Sequence, residues 1–208
     1  MNKIICIGIF LCSLLLQVSF GKVYCQKIAG MTLIDETCSK YMDNTEISIL
    51  QWQMYEIYTM KKYGEDSPEH NAAKPDTAFF RKHYGFAYIT SAKNNGKYSE
   101  GDIQFMLNSY NSYPIIGISY TQCENFCKYR TEISNNGTLE FNIPSNDDYA
   151  TANKYAVNTY LPSLSPLKRK PRKLYGLADN VNEYTVEKRS YADVPTGFRC
   201  IAQYKNKE

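Results

Sequence analysis

Three serine-led capping boxes constrain this chain more than any other feature. Ser48 is followed three residues later by Gln51, Ser119 by Gln122, and Ser145 by Asp148. In such a box the serine hydroxyl accepts the N3 amide and the N3 side chain returns to the serine amide, so a helix starts there. After Ser48, the residues Leu50, Met54 and Ile57 fall at i, i+4 and i+7 and predict one buried face, which Gly64 ends. After Ser119 come Phe126, Cys127 and Tyr129. After Ser145, the residues Tyr149, Ala152 and Ala156 share a helical face, and Pro144 stands where a chain enters a helix. Two strand-like runs lie between or beyond these starts, Pro114 to Ser119 and Gly197 to Ala202. Residues 64–78 and 158–173 are rich in Pro, Asn, Asp, Ser and Lys and read as loops. These short elements predict an α+β fold, low in regular secondary structure, in one domain.

The first residues read as a targeting segment. Lys3 supplies a positive start, Ile4 to Leu16 is almost unbroken in apolar character, and Ser19 and Gly21 place small residues before a cut after Gly21. A spanning helix needs about 20 apolar residues, so a retained anchor is the lesser alternative. Residues 1–21 are therefore expected to be a signal peptide and residues 22–208 the domain. The expected localisation is secreted or periplasmic, associated with the outer envelope, with no membrane span after signal removal. A net charge of +3 is too small to argue for nucleic acid. The basic run Lys168 to Lys173 is broken by Pro171 and reads as a solvated loop. The 19 tyrosines suit a loop-rich exported domain and are numerous enough to line a ligand groove. Beyond the leader stand Cys25, Cys38, Cys123, Cys127 and Cys200, an odd number, and export permits disulfides among them. Cys123 and Cys127 share a helical face, so a two-thiolate metal site there is conceivable.

Four blocks, in order, carry a family resemblance. They are Glu46-Ile47-Ser48-Ile49-Leu50-Gln51-Trp52; Tyr113-Pro114-Ile115-Ile116-Gly117-Ile118-Ser119-Tyr120 with Asn125-Phe126-Cys127-Lys128-Tyr129; Asn142-Ile143-Pro144-Ser145-Asn146-Asp147-Asp148-Tyr149; and Leu174 to Tyr184, followed by Gly197-Phe198-Arg199-Cys200. Together they resemble the formylglycine-generating-enzyme (sulfatase-modifying-factor) family, in a shortened and degenerate form. The resemblance implies that family's fold, an irregular α+β domain related to C-type lectins.

The family oxidises a sulfatase cysteine using oxygen and copper held by two cysteines; soft thiolates suit Cu(I). The resemblance places that pair between the fourth block and Gly197-Phe198-Arg199. Here the stretch Thr185 to Thr196 contains no cysteine, so copper is not expected. The resemblance also implies a Cys127–Cys200 disulfide; Cys25–Cys38 is a separate expected pairing, and Cys123 would then be the unpaired thiol, a buried small hydrophobe rather than a reactive group. It implies a calcium site as well, with a carboxylate from Glu183 and carbonyls from Asp179 and Val181, although Gly176 replaces the family's side-chain ligand. The alternative is that Asn180 and Glu183 fix this turn by hydrogen bonds to backbone. His70 and His83 lie in or beside a polar loop and show no spacing toward a Cys-His couple. Asp148 is explained by its cap. Asn136-Gly137-Thr138 reads as a turn, and as a glycosylation sequon only in a eukaryotic secretory route.

Three functions follow as expectations. The first is a non-catalytic scaffold or protein-interaction module, a pseudoenzyme with a protein partner in the cell envelope. The second is a copper-dependent oxidase acting on sulfatase cysteine. The third is a glycan- or small-ligand-binding module.

Overall fold

The computed structural model describes residues 27–37, 39–85, 87–88, 111–134, 138–157, 173–177, 179–189 and 193–205. The proposed signal segment, Cys25, Cys38, Asn136-Gly137 and Lys168 to Arg172 lie outside the described residues.

All three boxes close as the sequence predicts. Ser48 caps α1 (Ile49–Tyr63), Ser119 caps α4 (Tyr120–Ile133) and Ser145 caps α5 (Asn146–Ala152), each with both reciprocal bonds present. Gly64 ends α1 at a φ of 104° that other residues rarely adopt. The expected buried stripe of α1 is wrong, however. Met54 is 49% exposed, and Leu50 and Ile57 are only partly buried. The face that packs inward holds Ile49, Trp52, Gln53, Tyr55, Glu56 and Thr59. It mixes polar with apolar side chains, so a reading by hydrophobicity alone selects a neighbouring stripe.

The stretch 64–78 read as loop contains a helix and the start of another. Ser67 caps α2 (Pro68–Ala73), with proline at the first position where its missing N–H costs nothing. Asp76 caps α3 (Thr77–Tyr84), accepting from the amides of Ala78 and Phe79 at 2.9 Å. The third predicted face stops short, because α5 passes at Ala152 into a 3-10 turn (Asn153–Tyr155) and Ala156 leaves the helix.

A four-stranded antiparallel sheet has the order β1–β2–β6–β3, from Met31–Asp35, Lys40–Asp43, Ile201–Tyr204 and Leu139–Asn142. Tyr41 opposes Ala202, so β2 near the start of the described chain pairs with β6 near its end. The short strands β4 (Asn182–Glu183) and β5 (Thr196–Gly197) pair in parallel. The described residues thus form an α+β fold, as the sequence predicts.

Neither apolar run is a continuous strand. In Pro114 to Ser119 only Pro114 bridges, to Ser48. Gly117, at φ 72°, turns the chain so close to Asp76 that a Cβ would meet the Asp76 carbonyl oxygen at 2.8 Å. In Gly197 to Ala202 the segment Phe198-Arg199-Cys200 separates β5 from β6, and all three residues are fully buried. Phe198 packs into the core beside Trp52 and Phe126; Trp52 and Phe126 stack with ring centres 5.4 Å apart, and Phe198 meets Phe126 edge-on. The backbone ties these segments together: the Ile47 amide donates to the Phe198 carbonyl (2.8 Å), and the Ile115 amide to the Ile47 carbonyl (2.9 Å).

Candidate functional site

The buried segment Phe198-Arg199-Cys200 aims Arg199 into the molecule, where it meets oxygen from five directions. Its Nε donates to Glu183 Oε2 at 2.8 Å and its Nη2 to Glu183 Oε1 at 2.6 Å, the forked geometry that suits a guanidinium. Nη2 also reaches the carbonyls of Tyr175 (3.0 Å) and Gly176 (3.2 Å), and Nη1 that of Asp43 (3.3 Å). Glu46 Oε2 lies 3.8 Å from Nη2. Tyr149 donates its hydroxyl to Glu183, and Asn180 Nδ2 donates to Glu46 Oε1 at 3.0 Å. Two left-handed turns, at Gly176 (φ 67°) and Asn180 (φ 71°), shape this end of the chain. A Cβ at Gly176 would stand 2.7 Å from Glu46 Oε1.

Burial sets the charge of the cluster. It pushes the Glu46 carboxyl up to about 8; Arg199 pulls in the opposite direction, and the nearby Glu183 pushes it higher. Burial raises the Tyr149 phenol far above its usual value, and the Glu183 charge adds to this. Burial alone would lower Arg199, but Glu183 overrides it and holds the guanidinium charged.

This arrangement answers the calcium expectation. Asp179 and Val181 lie in the bend before β4 and Glu183 lies in β4 itself, where both of its carboxylate oxygens already accept from Arg199. A divalent ion on that carboxylate would stand beside a buried positive charge, so the residues as built do not fit calcium. Asn180 and Glu183 are likewise not confined to backbone bonds, since each holds a side chain brought from elsewhere.

The thiols form a second buried group. Cys127 Sγ and Cys200 Sγ lie 3.4 Å apart as free thiols, and Cys123 is buried nearby on the same helix. Burial raises the Cys123 thiol well above its usual value, and the contact with Cys200 followed by burial does so for Cys127. Beside them Arg130 pairs with Asp43 at 2.5 Å, and Asp43 also accepts the Cys200 amide at 2.9 Å.

Two open surfaces flank this core. A cavity of about 400 Å³ follows the last loop, lined by Asp76, Gly117, Ser119, Tyr184, Asp193 and Thr196. A groove of about 390 Å³ lies among α1, α2 and α4, lined by Tyr55, Tyr58, Tyr63, Tyr129, Asn125 and Glu132 among others. Among the described residues, no hydrogen-bond partner meets the hydroxyl of Tyr55 or of Tyr129. The histidines stay apart from the thiols' chemistry: His70 is buried, its Nδ1 against Thr59 and the Glu56 carbonyl, and His83 packs on Phe79.

Sequence reasoning missed the cluster formed by Glu46, Tyr149 and Arg199. One signal was available: Arg199 is the lone charge within Gly197 to Ala202, and an arginine in an apolar run needs a buried partner. Comparison with protein-family models, with curated proteins and with solved structures gave no match.

Proposed function

We propose that this chain is an exported, non-catalytic binding module on a scaffold like that of the formylglycine-generating enzymes and, through it, the C-type lectins. The observation that carries the reading is the state of the cysteines. Copper chemistry of that family needs two accessible thiolates. The stretch Thr185 to Thr196 has none, and Cys123, Cys127 and Cys200 are buried in the core. The convergence of the resembling blocks adds support. Glu46 from the first, Tyr149 from the third, and Glu183 with Arg199 from the fourth meet in one cluster, while Cys127 from the second meets Cys200. On this reading the partner is a protein of the cell envelope. Incubating the purified protein with copper and a sulfatase-derived cysteine peptide is expected to yield no formylglycine; measurable turnover, with copper held by sulfur, overturns the proposal.

The tyrosine groove favours a second reading, glycan or small-ligand binding. Its volume is that of an ordinary ligand site. Phenol rings offer apolar faces and hydroxyls together, and Asn125 and Glu132 add polar atoms at the wall. A glycan array tests it: binding that is lost in Tyr129→Ala supports the reading, and silence across the array removes it.

A further inference from the structure

The oxygen atoms around Arg199 are of the kinds that hard cations take: backbone carbonyls and carboxylates, converging on one buried point. Asp43, Tyr175 and Gly176 give carbonyls, Glu183 gives a carboxylate, and the Glu46 carboxyl stands 3.8 Å away. We infer that this cage is a cation site whose cation is the chain's own Arg199 guanidinium, so that Glu183, the one carboxylate the family resemblance would give to a divalent ion, is committed internally.

Three observations carry this. The Arg199 and Glu46 side chains are entirely buried and that of Glu183 nearly so, which leaves the guanidinium no access to water. The contacts of the guanidinium with Glu183 and the three carbonyls lie between 2.6 and 3.3 Å, the spacing of N–H···O hydrogen bonds. The guanidinium's fork matches Glu183 with two N–H groups while its outer edge serves the carbonyls, a division of donors that a lysine ammonium cannot copy. Glu46 Oε2, buried without a hydrogen-bond partner, faces the same cation at longer range. The cage is assembled by the Gly176 turn, where any side chain would strike Glu46.

The test uses the full chain as purified. The thermal midpoint of the wild type is expected to be the same in calcium chloride and in EDTA, and calorimetric titration with calcium to show no heat at this site; a calcium-dependent rise in the midpoint overturns the inference. Arg199→Ala is expected to lower the midpoint by roughly 10 °C, the range for breaking a buried pair in a chain of this size. Millimolar guanidinium should restore part of that loss, while equal sodium chloride should not. Guanidinium that restores no more than sodium overturns the cage. If Arg199→Ala does not fold, Arg199→Lys serves: it keeps the charge, and its midpoint is expected to lie below wild type and to ignore calcium. A lysine variant that equals the wild type overturns the argument from forked geometry.

Discussion

Glu46 is buried beside a cation yet holds its proton to about 8, against an ordinary 4.5. Burial costs the carboxylate more than the guanidinium returns, because Glu183 already neutralises Arg199 at close range. The sign of the pH effect follows. A folded-state value above the unfolded one means that the native protein binds more protons across the interval, so the stability that Glu46 contributes is fully present below 4.5 and is lost as pH rises toward about 8. Glu46→Gln mimics the protonated form. The difference in melting temperature between wild type and Glu46→Gln, measured from acid to mildly alkaline pH, should swing in favour of the variant as pH rises through that window. Parallel curves would show that Glu46 is not the group responsible.

At the scale of elements, α1 shows how packing overrides an apolar count. Trp52 is fully buried, donates its indole N–H to the Ala73 carbonyl at 3.0 Å, and stacks on Phe126 of α4. Met54 points to solvent. Trp52→Ala is therefore expected to cost ~3–5 kcal/mol in denaturant unfolding through the cavity it leaves. Met54→Ser should stay within roughly 0.5 kcal/mol of wild type. The reverse ranking would restore the stripe of Leu50, Met54 and Ile57 as the buried face. The helices α2 and α3 were legible in principle, since Ser67-Pro68 and Asp76 are ordinary start signals. Their shortness and polar composition made the stretch resemble a loop.

Across the whole molecule, strands near the two ends of the described residues are drawn together. Strand β6 lies between β2 and β3, and Cys200 just before it touches Cys127 of α4, 73 positions away. In an oxidising compartment these two thiols need little movement to join. Closing so long a loop is worth about 4 kcal/mol by the chain-entropy relation. Protein isolated from an exporting host is expected to give a peptide linked through Cys127 and Cys200 on mass spectrometry, and to lose about that stability on reduction. Quantitative alkylation of both thiols without prior reduction would defeat this expectation.

The sequence by itself determined what is settled within a few residues: the caps at Ser48, Ser119 and Ser145, the stop at Gly64, and with them the α+β character. A cap needs only a serine and its partner three positions on, so local chain geometry is sufficient. Only the tertiary structure decided which face of α1 is inside, that Phe198-Arg199-Cys200 is buried on all sides, and that Glu183 serves a guanidinium. Asn180 and Glu46 are 134 positions apart, and Arg199 and Asp43 are 156 apart. Side chains so distant carry no joint signal along the chain; they meet because the paired ends of the sheet and the aromatic core leave one water-free space, and a charge placed there must find its oxygens inside.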